Sequence, residues 1–162
     1  MKTTIIITLT LLAMQTYAQD RQPTNKHFWH TVETNANPEK IWQIWTDVAH
    51  WNQWDSGLKD AEISEKLALN AIGSIISLEG RKSKFKIVDF EEGKSYTFKT
   101  NLPLGGLYVK RFLEVKNGKT VFTHEVWFSG LTGGIFAKQF GPKFREMLPD
   151  VLYKIKEIAE KP

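Results

Sequence analysis

Two stretches late in the chain hold the side chains best suited to chemistry, Val109-Lys110-Arg111-Phe112-Leu113 and Phe122-Thr123-His124-Glu125-Val126. Between them stands Asn117-Gly118, the pair favoured by a two-residue hairpin turn in which both central residues need positive φ. If Lys116 and Lys119 flank that turn, one side of the ribbon opposes Leu113 to Phe122, Arg111 to His124, Val109 to Val126 and Leu107 to Phe128. The other side opposes Lys110 to Glu125, a complementary charge pair. A slip by one residue would destroy both features, so the pattern specifies the register. A guanidinium and an imidazole then sit side by side among apolar residues.

Such a pair can do several things. The guanidinium is always charged and offers five donors, which suits a carboxylate or a carbonyl oxygen. The imidazole titrates near neutrality and can give or take a proton, and the neighbouring cation favours its neutral form. Three roles stay open. Arg111 and His124 can be polar anchors for a ligand head-group, or a catalytic pair. They can also be structural, with Arg111 paired to Asp89 or Glu79 at the end of a sheet and His124 hydrogen-bonding beside it.

Little else in the chain competes. His27, His30 and His50 show no metal-ligand spacing with one another or with His124. The Gly105-Gly106 and Gly133-Gly134 pairs lack the strand–loop–helix and downstream lysine of a phosphate loop and read as flexible flanks of a cavity mouth. There is no serine elbow and no paired-carboxylate pattern. No metal and no cofactor is expected.

The elements that must position Arg111 and His124 follow from periodicity. His27 to Asn35 alternates as a first strand, with Phe28, His30 and Val32 on one side. Asn37, Pro38 and Glu39 then open a helix whose apolar face is Ile41, Ile44, Trp45 and Val48. Trp51 and Trp54 follow in a turn or second short helix ended by Gly57. Two further two-residue turns are expected. Gly80-Arg81 would join Gly73–Glu79 to Lys82–Asp89, and Glu92-Gly93 would join that strand to Lys94–Leu102. The second turn opposes Phe85 to Thr100, Ile87 to Phe98 and Asp89 to Tyr96. From Thr132 to Glu160 a stripe of Phe140, Phe144, Leu148, Val151, Leu152, Ile155 and Ile158 predicts a long helix. Pro142 and Pro149 should divide it, with a first segment to Phe140, a restart at Pro142 and a bend near Pro149.

Strand, two short helices, a meander and a long last helix make an α+β fold, in which a curved antiparallel sheet of about six or seven strands is covered by that helix. The four indoles from Trp42 to Trp54 can pack a corner, line a cavity or form a stacking surface. Trp45 shares the helix face of Ile41 and Val48, which points to packing, with Trp42 and Trp51 partly exposed. The space between sheet and helix should be lined by Trp45, Ile76, Phe85, Ile87 and Phe98. Val109, Phe122 and Val126 from the hairpin and Phe144 and Leu148 from the helix should complete it.

Composition bounds the rest. The chain has 162 residues, 41% of them hydrophobic and 12% aromatic, enough for one sizeable core over residues 27–162. Zero cysteines exclude disulfides, thiolate metal sites and a cysteine nucleophile. The net charge of +4 is scattered among 18 acids without a basic block, so a nucleic-acid partner is not expected. Lys2, the apolar run from Ile5 to Ala13 and Thr16-Tyr17-Ala18 have the layout of a signal peptide over residues 1–18. The run is about half the ~20 residues needed to span a bilayer, so no stable membrane anchor is expected. Export to the periplasm or beyond is expected, with residues 19–26 a mobile polar lead.

Several motifs together resemble a known family. They are Asn37-Pro38-Glu39-Lys40-Ile41-Trp42, Thr46-Asp47, His50-Trp51-Asn52-Gln53-Trp54-Asp55, Gly73, Gly118-Lys119-Thr120, Thr123-His124-Glu125-Val126 and Ser129-Gly130, with Phe136, Phe144 and Leu148-Pro149 in the last helix. In order and spacing, over about residues 28–160, they resemble polyketide cyclase/dehydrase-like proteins of the START-related helix-grip (SRPBCC) superfamily. The resemblance implies a sheet gripping the C-terminal helix around a hydrophobic cavity. It implies binding of lipids, sterols, polyketides or similar molecules, with cyclisation or dehydration in some members. The expected function is an exported binding protein for a hydrophobic small molecule. Two alternatives stand beside it, a cyclase or dehydratase using His124 and Arg111, and an interaction module whose core is simply filled.

Overall fold

The structure, a computed structural model, describes residues 22–161. The expected signal peptide and residues 19–21 lie outside the described residues. The order is β1 (His27–Thr34), α1 (Pro38–Thr46), a short 3-10 helix (Val48–Gln53), β2 (Leu58–Ile63), β3 (Ile72–Ser77), β4 (Lys82–Glu91), β5 (Ser95–Leu102), β6 (Gly105–Lys116), β7 (Lys119–Gly130) and α2 (Gly133–Ala159). The seven strands form one antiparallel sheet in the order β1-β7-β6-β5-β4-β3-β2. Its concave side holds the core, and α2 lies across that side.

Local chemistry explains most boundaries. The Asn37 side chain accepts the Glu39 N–H at 2.9 Å and caps α1, with Pro38 in its first turn. Asn117 and Gly118 both have positive φ, and the β6–β7 ladder runs from Lys116–Lys119 to Gly105–Gly130 without a shift. Arg111 is thus opposite His124. The lead into β1 is tied down from Thr24, whose hydroxyl accepts the Lys26 and His27 N–H groups, and Asn25 packs against Gly141 of α2.

The other two hairpins have longer turns than expected. Between β3 and β4 the turn takes in Leu78, Glu79 and Gly80, with Ser77 donating to the Arg81 carbonyl. The register moves by three residues, an odd number, and every β3 side chain changes face. Gly73 rather than Ile76 faces Phe85. Ile76 therefore stands on the convex side opposite Lys82 and Asp60, and Ile75 takes the concave place expected of it. Between β4 and β5 the turn is Glu92-Gly93-Lys94, and a bulge at Val88 absorbs the extra residue. Phe85–Thr100 and Ile87–Phe98 pair as expected, but Phe90 replaces Asp89 opposite Tyr96, and Asp89 is exposed.

α2 is one helix through both prolines, so the expected restart does not occur. The carbonyls that Pro142 and Pro149 leave without a helical donor belong to Lys138 and Arg145, both exposed, where water can satisfy them. α2 packs on β1, β7, one edge of β6 and α1, not on the whole sheet. The half from β3 to β5 has a second cover. Trp51 lies on Phe85 and Phe98 at ring distances of 5.4 and 5.6 Å, and the 3-10 helix that carries it packs on β2. Trp51 is fully buried, contrary to the partial exposure expected of it, and Trp42 is half-buried against Phe90 and Tyr96.

Gly73 is where this second cover is tightest. A side-chain carbon there would meet the Phe85 ring and lie 2.6 Å from the Glu62 carbonyl oxygen. Gly73→Ala is expected to lower stability by about 1–3 kcal/mol, by forcing a packed aromatic and a paired strand apart. Urea denaturation with an unchanged slope and a lower midpoint would show it; an unchanged midpoint would mean that β3 does not pack as described.

Candidate functional site: a polar row beneath an apolar groove

The ladders line up one row of polar side chains across the concave face. His30 of β1 faces His124 of β7, His124 faces Arg111 of β6, and Arg111 faces Tyr96 of β5. The rows on either side are apolar, with Phe28, Val126, Val109, Phe98 and Ile87 on one and Val32, Phe122 and Leu113 on the other. Such a row in the middle of a core needs compensation at each member.

Arg111 is 2% exposed and forms no ion pair within the described residues. Glu79 is bound to Lys143 at 2.9 Å and Asp89 faces solvent, so the expected carboxylate pairing for Arg111 is absent. Other groups stabilise the charge. Its guanidinium stands 4.2 Å from the Trp51 ring and 4.7 Å from that of Trp54, with Phe98 and Tyr96 at 5.3 and 5.5 Å. One Nη donates to the Tyr96 hydroxyl at 2.5 Å, which donates in turn to the Trp45 carbonyl at 3.0 Å. The Trp51 indole N–H donates to that same carbonyl at 2.9 Å. Trp45 is in the last turn of α1, so this is a helix-terminal carbonyl with no helical donor, at the negative end of the helix dipole. Burial pushes the Tyr96 phenol up to about 12, which keeps it a donor. Burial likewise raises the Asp55 carboxyl, while the Arg111 charge and the Gly57 N–H pull it down.

His124 is 1% exposed, with its ring 5.5 Å from that of Trp45 and 6.0 Å from that of Trp54. Burial first and the Arg111 charge second hold its imidazole well below the usual histidine range, so it is neutral at pH 7. Four buried polar atoms of this neighbourhood have no hydrogen-bond partner among the described residues: Arg111 Nε, His124 Nε2 and the indole nitrogens of Trp45 and Trp54. His30 Nε2 and the Thr100 hydroxyl on the same face share that condition.

Next to the row lies the least covered part of the concave face. Ile75, Leu102, Leu107 and Val109 from the sheet are only half-buried, as are Phe136, Phe140 and Phe144 from α2. The three phenylalanines stack in sequence at 6.1 and 6.2 Å, forming an aromatic bank along one helix face. Together these residues form a half-covered apolar strip between α2 and the sheet, here termed the groove, and Val109 is two residues from Arg111 on the same face of β6. The β3–β4 turn reaches α2 beside it through Lys143–Glu79 and through Arg81, 5.6 Å from the Phe140 ring.

Of the residues expected to line a cavity, Trp45, Phe85, Ile87, Phe98, Phe122, Val126 and Leu148 are buried on the concave side. Val109 and Phe144 are half-buried at the groove, and Ile76 is outside it. Periodicity alone missed Tyr96 as the partner of Arg111, because the Pro103-Leu104 turn that sets the β5–β6 register was not among the expected hairpins. It also missed Trp51 and Trp54 as the faces that hold the guanidinium. Two clefts of about 500 and 410 Å³ lie on the convex side, around His27, Lys110 and Trp127 and around Trp29, Phe112 and Thr123. There His27 is paired with Glu125 at 2.6 Å and Thr31 with Thr123 at 2.8 Å, whereas the buried polar atoms without partners belong to the concave side, which makes the concave groove the better candidate. Among the described residues no three potential metal ligands cluster, and no helix is long and apolar enough to cross a membrane.

Comparison with known proteins agrees with this architecture. A hypothetical protein from Helicobacter pylori superposes with a TM-score of 0.71 at 12% identity, over 99% of both chains. A protein from Mesorhizobium loti gives 0.66 at 17% identity, over 82% of this chain and 96% of its own. The di-domain aromatase/cyclase StfQ of the steffimycin biosynthetic pathway gives 0.64 at 12% identity, over 83% of this chain and 50% of its own. At such identities the likeness is one of fold. No curated protein matches by sequence. The family profile described as polyketide cyclase / dehydrase and lipid transport matches residues 26–160, and with a seven-stranded sheet around a C-terminal helix behind that match, the chain belongs to this family.

Proposed function

We propose that the protein is an exported binding protein for an amphipathic small molecule, lipid- or polyketide-like. Its apolar body would lie along the groove, and its oxygen-bearing head would meet Arg111. The observation that supports this most is that Arg111 Nε, His124 Nε2 and the Trp45 and Trp54 indole nitrogens are all buried and without partners, on side chains that neighbour one another. An unmade hydrogen bond at a buried polar atom costs about 1–3 kcal/mol, and an acceptor oxygen would relieve several at once. Three of the four offer N–H groups whatever the histidine tautomer, and one bears a charge. The matching head is therefore a carboxylate, phenolate or polarised carbonyl. The amino-terminal pattern over residues 1–18 supports export.

A fluorescent fatty acid and its methyl ester separate the two parts of this reading. The wild-type protein is expected to bind the acid saturably. Arg111→Met should weaken the acid by about tenfold or more and the ester far less, since only the acid engages the charge. Absence of saturable binding by the folded wild-type protein would overturn the proposal.

A second reading, a cyclase or dehydratase, is favoured by one feature, the neutral and unpartnered His124 Nε2 next to a fixed cation. It requires turnover of a polyketide-like substrate to collapse in both His124→Ala and Arg111→Ala. Turnover surviving both changes would remove the pair from any mechanism.

The neutral imidazole also sets a pH dependence. His124 in the folded protein stays deprotonated well below 6.5, its ordinary value in an unfolded chain. Below that pH the unfolded state takes up a proton that the folded state refuses, so stability falls as pH drops. The slope for one such group is up to about 1.4 kcal/mol per pH unit, until the folded-state pKa is reached. His30, also lowered by burial, adds in the same direction. Urea midpoints between about pH 7 and pH 5 should decline in the wild-type protein and decline less steeply in His124→Gln. Equal slopes would mean that His124 is not buried as a neutral group.

A further inference from the structure

Near the groove stands a corner of unusual composition. Leu104, Leu131 and Ile135 are 73%, 87% and 67% exposed, and backbone bonds hold them in one place. The Leu131 N–H donates to the Leu104 carbonyl at 3.0 Å, the Thr132 hydroxyl donates to the Pro103 carbonyl, and the Ile135 N–H donates to the Thr132 carbonyl at 3.0 Å. Two of them lie close in sequence to the groove, Leu104 two residues beyond Leu102 and Ile135 next to Phe136. Leu104 is also strained. Leu102 pairs with Gly105, leaving Pro103-Leu104 as a two-residue turn in which Leu104 has φ 53°. A turn with proline first and positive φ second calls for glycine or asparagine at that second place. A leucine there, with its side chain in solvent, breaks the local rule and gains no packing in return.

The charge near the corner is mostly positive, with Glu79 paired to Lys143 as the one acidic contact to this stretch of α2 among the described residues. From Val126 to Arg145 the chain has no acidic residue, and it holds Lys138, Lys143 and Arg145. Arg81 reaches the same helix from the β3–β4 turn. Within the described residues Arg81 and Lys138 form no ion pair.

We infer that this corner is a docking edge for an anionic lipid surface. Leu104, Leu131 and Ile135 insert among the acyl chains, while the surrounding lysines and arginines meet the head-groups. The inference rests on the proposed groove function, for which it supplies the source of the ligand: a mouth seated on a bilayer passes an apolar molecule between lipid and protein without crossing water. A second copy of the chain is a poorer occupant. A stable dimer needs roughly 20–30 residues a side, and a few side chains on a turn tip and a helix start do not provide them. Projecting apolar tips ringed by cations match the layered chemistry of a membrane interface.

The chain has no cysteine, so a single introduced thiol can report on position. Leu131→Cys labelled with an environment-sensitive dye is expected to brighten several-fold and shift to the blue with vesicles of phosphatidylcholine and phosphatidylglycerol. The effect should be weaker with phosphatidylcholine alone, and lipids spin-labelled in the acyl chain should quench the dye. The same dye at Glu157→Cys, about 33 Å from Ile135 along α2, should not respond. Leu104→Gly suits the turn, so it should keep the fold and the binding of fluorescent fatty acid in vesicle-free solution. Its partition onto the mixed vesicles should fall about tenfold. No response at residue 131 from a protein that still binds the fatty acid would overturn the docking edge and leave the groove reading standing. Docking without fatty-acid binding would do the reverse. A shift that grows with protein concentration in the absence of vesicles would assign the corner to self-association and overturn the inference.

Discussion

A single buried positive charge organises the interior. Arg111 sits in the middle of the sheet, where an unpaired guanidinium would be prohibitively unfavourable, and no carboxylate is hydrogen-bonded to it. The fold surrounds it with weaker partners. The indole faces of Trp51 and Trp54, the charge of the Asp55 carboxyl, a phenol from β5 and, through that phenol, the terminal carbonyl of α1 each take a share. This explains why tryptophans crowd between residues 42 and 54. Trp51 uses its ring for Arg111 and its N–H for the Trp45 carbonyl, so one residue both covers the sheet and fixes the end of α1.

The same constraint leaves the interior asymmetric. Toward β1 and β7 the sheet is closed by Val151, Leu152 and Ile155 of α2, and toward β4 and β5 by Trp51. The two covers approach one another where Met147 of α2 lies against Gly57, and the remaining concave surface stays half-covered. The half-covered surface arises because neither cover is wide enough for a seven-stranded sheet. The polar atoms beside it are directed by their own packing, which is what pre-organisation of a binding site means in energetic terms.

Legibility of the structure from sequence followed turn length. The β6–β7 hairpin was readable because Asn117-Gly118 admits only a tight turn, and that alone placed Arg111 against His124. The first hairpin misled because Gly80-Arg81 resembles a two-residue loop, whereas Gly80 is the last residue of a longer turn. A three-residue shift moved Ile76 out of the interior and Ile75 into it. In the middle hairpin the bulge at Val88 corrected a similar excess, at the price of exchanging Asp89 for Phe90 beside Tyr96. Composition gives no sign of where a strand will absorb an extra residue. The prolines of α2 also misled, because their effect depends on whether solvent reaches the carbonyls they leave unpaired.

Alternation, capping and turn chemistry are short-range properties, and they determined the α+β architecture, the strand carrying each polar residue and the face of Arg111 and His124. What surrounds a buried charge is a long-range matter, because tryptophans in the fifties, a tyrosine at 96 and a helix-end carbonyl at 45 converge only once the sheet curves. Only the tertiary structure could decide that Arg111 has no carboxylate at hydrogen-bonding distance, that its neighbours include donors without acceptors, and that Leu104 and Leu131 stand exposed. Hydrogen bonds and desolvation are settled by distance in space, which a linear pattern does not encode.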